Sequence, residues 1–225
     1  MTVGMGRRSA LVLVAHADDE TLGAGGLIQR LAKGDWEVRT VILSDGIIAA
    51  RGGDQDNKPD AIAACAVLGI EPPTFLGFPD QRFDQVAMAD LSGAVAELGL
   101  EPDLVITHVE TDLNLDHRLT AQAAKIVARP RRKPVSILGC EIPNTSFWNG
   151  VSFPANYFVD ITQELDRKIE AFACYRGEIQ PYPHPWSREG LRLLAQAHGM
   201  QCGVPFAEAF HLIRGYAGLL PDGAR

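Results

Sequence analysis

The sequence predicts a parallel, doubly wound α/β sheet, and two observations carry this prediction. Short apolar runs, typical of strands buried on both faces, alternate with helical stretches over residues 1–140. Three of the runs end in clusters of charged or imidazole side chains, at residues 16–20, 45–51 and 108–117. The carboxyl ends of strands in an open parallel sheet lie along one edge, where ligands bind. We therefore expect the three clusters to meet in one site.

Strands and helices are predicted in a regular order. The predicted strands of the core cover residues 10–15, 37–43, 74–76, 104–107 and 135–140. The first helix between them is predicted to end near Lys33, and the next three cover residues 59–68, 88–98 and 119–128. Glycines 34, 69 and 99 follow the first three helices, and glycine is the common residue just past a helix end.

The regular order changes after residue 140. Strands are predicted over residues 157–160 and 209–214, and a helix over residues 162–175. Ser187 is a good N-cap for a further helix that reaches His198 before a glycine. We expect one domain over residues 1–225, in which residues 1–140 form the core sheet. Residues 141–225 are predicted to form an extension that covers the open edge of the sheet and walls the site.

Composition limits the classes of partner. The chain has 225 residues, of which 46% are hydrophobic, and this suits one domain with a full core. Its net charge of −7 argues against binding to nucleic acid or to an anionic membrane. No window has the length of a membrane span, and no signal peptide is predicted at the N-terminus. The four scattered cysteines indicate free thiols in a cytoplasmic protein. The sequence leaves open whether the protein forms a homo-oligomer.

The first charged cluster, His16 to Glu20, follows an apolar run directly. Charges at this point must face solvent, a ligand or a metal, because a buried strand cannot hold them unpaired. Glycines 23, 25 and 26 superficially resemble a dinucleotide fingerprint, but acids fill the turn where a pyrophosphate needs backbone amides. We expect these glycines to let the first helix pack tightly against the sheet.

A metal site is the better interpretation of the cluster. His16 and Asp19 lie on one tight turn, and His117 is the best candidate for a third ligand. Asp116 is placed to orient His117 or another imidazole by a hydrogen bond. Two histidines and one carboxylate with an open position are typical of a catalytic zinc site. We therefore predict one Zn²⁺, or another divalent metal ion, per chain.

Three motifs resemble those of the zinc N-deacetylases of the PIG-L/LmbE type. The first motif is similar to the AHPDDE signature and reads His16-Ala17-Asp18-Asp19-Glu20. The second reads Asp112-Leu113-Asn114-Leu115-Asp116-His117-Arg118. The third comprises Pro183-His184-Pro185-Trp186-Ser187 and Ala207-Glu208-Ala209-Phe210. The resemblance implies a Rossmann-like fold, with a mostly parallel sheet flanked by helices.

The same resemblance implies roles for individual residues. His16, Asp19 and His117 would bind zinc, Asp18 would be the general base, and Arg51 would bind substrate. The implied substrate is a small molecule, an N-acetylated amino sugar or its conjugate. We also expect Trp148 and Tyr182 to line a sugar-binding wall.

Asn114 departs from the family pattern, in which a histidine is frequent at its position, and Ala17 replaces the usual proline. An asparagine donates a hydrogen bond to an oxyanion but is no general acid near neutral pH. His108 or His184 is then expected to supply an imidazolium. We count Asp18, Asn114, Asp116 and these two histidines as the catalytic candidates.

Two other functions compete with the deacetylase. One is a non-catalytic module that binds a sugar or nucleotide on the same fold, and the intact His16, Asp18, Asp19 and His117 set argues against it. The other is a metal-dependent phosphoesterase, for which a single three-ligand site is less suited than a two-metal cluster.

Overall fold

The computed structural model describes residues 7–34, 36–48, 55–129 and 133–217. Within these residues, seven strands form one sheet in the order β3-β2-β1-β4-β5-β7-β6. The strands are β1 (Arg8–Val14), β2 (Trp36–Ser44), β3 (Thr74–Phe78), β4 (Leu104–Thr107), β5 (Ser136–Cys140), β6 (Tyr157–Asp160) and β7 (Ala207–Arg214). The helices are α1 (Asp19–Lys33), α2 (Lys58–Leu68), α3 (Met88–Glu97), α4 (Leu115–Val127), α5 (Thr145–Trp148), α6 (Leu165–Phe172) and α7 (Arg188–Cys202). The predicted α/β fold with a mostly parallel sheet is confirmed.

Strand β1 is apolar without a break because both of its faces are buried. Val12 and Val14 belong to the core on the α1 side of the sheet. Leu11 and Leu13 belong to a second core with Leu91 of α3 on the other side. Alternate side chains of a strand point to opposite faces, so a strand between two cores needs apolar residues at every position.

The strand order reverses beside β1. This strand pairs in parallel with β2 on one side and with β4 on the other, so connections leave in opposite directions. Ligands bind outside the carboxyl ends of strands at such a switch point. The segments that follow β1 and β4 carry His16 and His108, and they are therefore neighbours at the place where a site is expected.

The extension adds two strands to the sheet at the edge of β5. Strand β7 pairs antiparallel with β5, and β6 pairs antiparallel with β7. The exposed edge of β5 would otherwise present unpaired backbone N–H and C=O groups, which another strand readily covers. Helix α6 packs beside α1 and α2.

Two glycines of α1 allow the close packing that the sequence predicts. A Cβ atom at Gly23 would lie 2.5 Å from Sγ of Cys140 in β5. A Cβ atom at Gly26 would lie 2.6 Å from Cγ2 of Ile161. Both approaches are closer than real Cβ contacts, so a larger residue would push α1 away from the sheet.

Three helices differ from their predicted bounds. Helix α4 begins at Leu115 because Oδ1 of Asn114 accepts the backbone N–H of Asp116 and caps the helix there. Helix α7 continues through Gly199 and ends before Gly203, which adopts the left-handed conformation. Helix α6 is shorter than residues 162–175. None of the helices in the described ranges is long and apolar enough to cross a membrane.

Candidate metal centre and active site

A four-residue turn between β1 and α1 presents the first part of the site. The backbone N–H of His16 donates to Oδ2 of Asp19 at 2.8 Å, which closes the turn. Asp18, between them, has a φ of 122°, outside the regions that L-residues favour. All three residues are at most 7% exposed. The turn therefore holds an imidazole and two carboxylates in a fixed and nearly buried arrangement.

Three atoms from this turn and from α4 form a nearly equilateral triangle. Nδ1 of His16 lies 3.4 Å from Oδ2 of Asp19, and Nε2 of His117 lies 3.4 Å from the same oxygen. The two nitrogens are 3.3 Å apart. Ligands at the usual 2.0–2.1 Å from a tetrahedral zinc ion are separated by about 3.3 Å. The spacing of these residues fits a small divalent metal, and they form a candidate metal-binding cluster.

Outer carboxylates orient both imidazoles toward this centre. Oδ2 of Asp116 lies 3.1 Å from Nε2 of His16, and Oδ2 of Asp112 lies 3.2 Å from Nδ1 of His117. When each neutral ring directs its N–H toward its outer carboxylate, the other nitrogen presents a lone pair to the triangle. Lone pairs from His16, His117 and Asp19 then converge without a hydrogen atom between them. A cation is the physical complement of such an arrangement.

The acidic surroundings favour positive charge at the centre. Burial alone lowers the pKa of His16, but the carboxylates around its ring outweigh burial and raise the pKa to about 10. These carboxylates belong to Asp116, Asp19 and Asp80. Either a proton on His16 or a metal ion at the triangle would supply the positive charge that these carboxylates favour. The donor set of two imidazoles and one carboxylate matches that of catalytic zinc sites.

Asp18 and Asp19 are adjacent, yet their pKa values shift in opposite directions. Burial raises the pKa of Asp19, but the imidazoles of His117, His108 and His16 outweigh burial and hold it well below its usual range. Burial, with the neighbouring carboxylates of Asp19, Glu178 and Glu20, raises the pKa of Asp18 well above its usual range. A ligand must stay ionised and a proton carrier must accept a proton, so the two environments suit different tasks.

Glu20 holds the backbone of Asp18. Its Oε2 accepts the N–H of Asp18 at 3.1 Å. Its Oε1 accepts the hydroxyl of Thr21 at 2.7 Å and that of Tyr175 at 2.5 Å. Glu20 and Tyr175 are both fully buried. Tyr175, three residues after α6, therefore contacts the turn from a distant part of the chain, and the sequence pattern carries no signal for this contact.

Asp112 is a site residue that the sequence analysis did not single out. Burial raises its pKa, but the imidazoles of His117 and His108 and the backbone N–H of Asn114 lower it overall. Oδ1 of Asp112 accepts that N–H at 2.8 Å. The signal for Asp112 in the sequence was an acid in the segment after β4, two residues before Asn114, which caps α4.

A loop after β3 is a second contribution that was not predicted. Oδ1 of Asp80 and Nε2 of Gln81 each lie 3.3 Å from Nε2 of His16. Nδ2 of Asn114 donates to Oε1 of Gln81 at 3.2 Å. The signal in the sequence was the polar pair Asp80 and Gln81 just after β3. This pair adds a fourth polar strand end to the three that the sequence predicted.

Asn114 and Asp116 both lie at the start of α4, close to the triangle. Asn114 uses its oxygen as the helix cap and one amide hydrogen for Gln81. Oδ1 of Asp116 accepts the backbone N–H of Phe83 at 3.1 Å, which fixes the carboxylate beside His16. The structure thus brings His16, Asp18, Asp19, Asn114, Asp116 and His117 together.

His108 lies where a proton donor to substrate is not expected. Its side chain is completely buried and stacks on His117 with ring centroids 4.0 Å apart. Its Nε2 accepts the backbone N–H of Ala15 at 3.0 Å. Burial, with the adjacent His117, lowers its pKa, so the ring is neutral near pH 7. This position suits packing against His117, which is one of the candidate metal ligands.

Four other predicted residues have no described contact with the triangle or lie outside the described residues. Nδ1 of His184 accepts the backbone N–H of Trp186, and the described contacts do not join it to the metal cluster. Tyr182 lines a groove between α6 and α7. Trp148 ends α5 and is 79% exposed. Arg51 lies outside the described residues.

Comparison with known proteins identifies the family of this chain. A family profile described as "PIG-L: GlcNAc-PI de-N-acetylase" matches residues 11–128. A 4-oxalmesaconate hydratase of Pseudomonas putida is 28% identical over 218 residues, covering 85% of this chain and 81% of that protein. An uncharacterized deacetylase of Escherichia coli, YaiS, is 28% identical over 165 residues, covering 70% and 84%.

A solved structure shares the fold. The N,N'-diacetylchitobiose deacetylase of Pyrococcus horikoshii superposes with a TM-score of 0.70 at 21% identity, covering 95% of this chain and 89% of that one. The sheet and the His-Asp-His triangle define an α/β protein with a candidate metal centre at its switch point. The chain belongs to the PIG-L family, and one of the relatives named above, YaiS, is described as a deacetylase.

Proposed function

We propose that this protein is a zinc-dependent N-deacetylase that hydrolyses the N-acetyl group of an amino sugar or its conjugate. The observation that carries the proposal is the triangle of His16, Asp19 and His117 beside Asp18, whose pKa is raised. The family match and the deacetylase relatives support the reaction class. The substrate is a small molecule, and the net charge of −7 supports the absence of a nucleic-acid partner.

His16, Asp19 and His117 would hold the zinc ion. Zinc bound there would supply an electrophile for the amide oxygen and lower the pKa of a water molecule to about 7. Asp112 and Asp116 orient the two imidazoles, and the stacked ring of His108 supports His117 from behind.

Asp18 carries the proton in this proposal. Its carboxylate accepts a proton from the attacking water as the new C–O bond forms. When the C–N bond breaks, the same carboxyl group returns the proton to the leaving amine, so acetate and a free amine result. A raised pKa suits a proton carrier, because the carboxylate then accepts a proton more readily than an ordinary aspartate.

Asn114 supplies a hydrogen bond to the developing oxyanion in this proposal. One of its two amide hydrogens is donated to Gln81, and the other remains to face substrate. His184, Arg51, Trp148 and Tyr182 stay predicted site residues, and neither His184 nor Tyr182 has a described contact with the triangle.

The test is release of acetate from N-acetylglucosamine conjugates, combined with metal analysis. We expect about one zinc per chain and loss of activity with a chelator, restored by added zinc. Asp18→Asn should keep the metal and lower kcat by about 10²- to 10⁴-fold, because asparagine tolerates the same backbone conformation but carries no proton. Asp90→Asn on the exposed side of α3 is the matched control. Full activity in Asp18→Asn would contradict the proposed base.

A hydratase is the second candidate function. The P. putida hydratase matches this chain at the same identity as the E. coli deacetylase and over a longer stretch. Addition of water to a carbon–carbon double bond also needs an activated water and a proton carrier. Loss of double-bond absorbance with an unsaturated carboxylic acid, without acetate release from any N-acetyl compound, would favour it.

A further inference from the structure

Five large apolar side chains stand exposed on two segments that meet beside the metal centre. Leu113 and Leu115 are 50% and 41% exposed and flank Asn114. Phe147, Trp148 and Val151 are 56%, 79% and 56% exposed and lie in or just after α5. Exposed apolar side chains scattered singly need no explanation, but a cluster beside a site marks a binding surface. We call these five residues the apolar rim.

Hydrogen bonds join the two segments directly to the metal centre. Oγ1 of Thr145 in α5 donates to Oδ2 of Asp112 at 3.1 Å, the same oxygen that faces Nδ1 of His117. Nδ2 of Asn149 donates to the backbone oxygen of Thr111. Trp148 lies three residues after Thr145, and helix residues at this spacing share one side. The apolar rim therefore lies on two segments that these hydrogen bonds connect to each other and to Asp112 of the candidate site.

The α5 part of the rim carries little charge. Residues 141–156 contain one charged side chain, Glu141. Its carboxylate is turned inward and pairs with Nε2 of His198 at 2.8 Å and with Oγ of Ser146 at 2.8 Å. The cation beside the other part of the rim, Arg118, donates to the backbone oxygen of Leu113 at 2.8 Å. The α5 part of the rim therefore suits an uncharged, apolar group.

We propose that the substrate carries an alkyl or aryl group on the amine side of its N-acetyl group, and that this group packs on the apolar rim. The inference rests on the proposed deacetylase function and specifies its substrate class. The acyl part of the proposed substrate is acetyl, which has too few carbons to cover five side chains. The apolar group therefore belongs to the remainder of the molecule, such as the aglycone of an N-acetylglucosaminide.

The experiment compares two substrates that differ only in apolar length. The zinc-loaded protein is assayed with methyl and octyl N-acetyl-β-glucosaminides, below the concentration at which the octyl compound forms micelles. Burying one methylene group fully increases affinity about fourfold, so partial burial of seven should raise kcat/KM at least about tenfold. An octyl-to-methyl ratio near one would overturn the proposal.

Two variants assign the preference to the rim. Trp148→Ala and Phe147→Ser should each lower the octyl-to-methyl ratio by about threefold or more, since each removes apolar area from an exposed position. Ile62→Ala removes a side chain that is 47% exposed on α2 and should leave the ratio unchanged. Equal ratios in the wild type and both rim variants would overturn the assignment.

Further measurements separate this proposal from its competitors. A higher rate with N-butyryl than with N-acetyl methyl glucosaminide would assign the rim to the acyl group and overturn the proposal. Sedimentation that shows a dimer in the wild type and a monomer in Phe147→Ser, with an unchanged ratio, would make the rim a subunit interface. Calorimetric binding of the octyl compound without acetate release would leave the rim assignment intact and reject the deacetylase function. Absence of both binding and turnover would reject both.

Discussion

The hydroxyl of Tyr175 donates to Oε1 of Glu20 at 2.5 Å, across 155 residues of sequence. Glu20 in turn accepts the backbone N–H of Asp18, which has a positive φ. Backbone strain of this kind costs about 1–3 kcal/mol and persists only where the surroundings hold it. The extension therefore helps to hold the proposed general base in its unusual conformation.

Removal of this hydroxyl should affect turnover more than metal binding. In Tyr175→Phe, Glu20 loses one hydrogen-bond donor, and we expect kcat to fall about tenfold as Asp18 loses its fixed position. Zinc content should stay near that of the wild type, because no metal ligand is changed. Tyr216→Phe, at a tyrosine that is 51% exposed, is the control. Unchanged kcat in Tyr175→Phe would show that Glu20 and Thr21 suffice to hold the turn.

The carboxylate of Asp112 should contribute to metal affinity. In Asp112→Asn the side chain no longer offers a negative charge to Nδ1 of His117, and loss of such an outer carboxylate typically weakens metal binding by about 10- to 100-fold. Competition with a chromophoric chelator measures the change. The matched control is Asp166→Asn, whose side chain is 79% exposed and pairs with Arg192. Equal affinity in both variants would remove Asp112 from the metal site.

Asp103, which directly precedes β4, should make stability depend on pH. Burial raises the pKa of Asp103, but Lys133 and the backbone N–H and hydroxyl of Ser9 lower it overall. A carboxyl group with a lowered folded-state pKa stabilises the fold above its unfolded pKa of about 3.9, and this contribution is lost as pH falls through the folded-state value.

Comparison with Asp103→Asn isolates this contribution. We expect the wild type to exceed the variant in free energy of unfolding by about 1 kcal/mol at pH 7. The difference should begin to shrink below about pH 5 and should vanish once the carboxyl group is protonated in both states. Urea unfolding at a series of pH values measures it. A difference that stays constant with pH would exclude the charge of Asp103 as its cause.

Two glycine substitutions test the packing of α1 against the sheet. The Cβ atom of Gly26→Ala would lie 2.6 Å from Cγ2 of Ile161, so we expect a loss of about 1–3 kcal/mol in stability. Gly93→Ala in α3 meets no atom within 4 Å and should be neutral or stabilising by about 0.5–1 kcal/mol. Thermal unfolding of both variants gives the comparison. Similar effects at the two positions would mean that α1 has room to shift.

Much of the core and the three proposed metal ligands could be predicted from sequence patterns and family resemblance. Apolar runs that end in polar clusters predict parallel strands and the edge at which their carboxyl ends meet. The bounds of β4 and β6 agree with those expected, because each strand is a short run set off by turn residues. His16, Asp19 and His117 were identified from residue type, position and family resemblance, and the structure brings their ligand atoms within 3.4 Å of one another.

The tertiary structure decided what local patterns do not encode. Asp112, Asp80, Gln81 and Tyr175 join the site through contacts between distant segments, and a single sequence carries no periodicity for such contacts. The structure buries His108 behind His117, although its position after β4 had made it a candidate proton donor. Strand β7 of the extension pairs antiparallel with β5 because the edge of β5 offers free backbone hydrogen-bonding groups. Such an edge exists only once the sheet has folded. The sequence by itself determined the residue types at the strand ends, and packing decided which of them converge on the triangle.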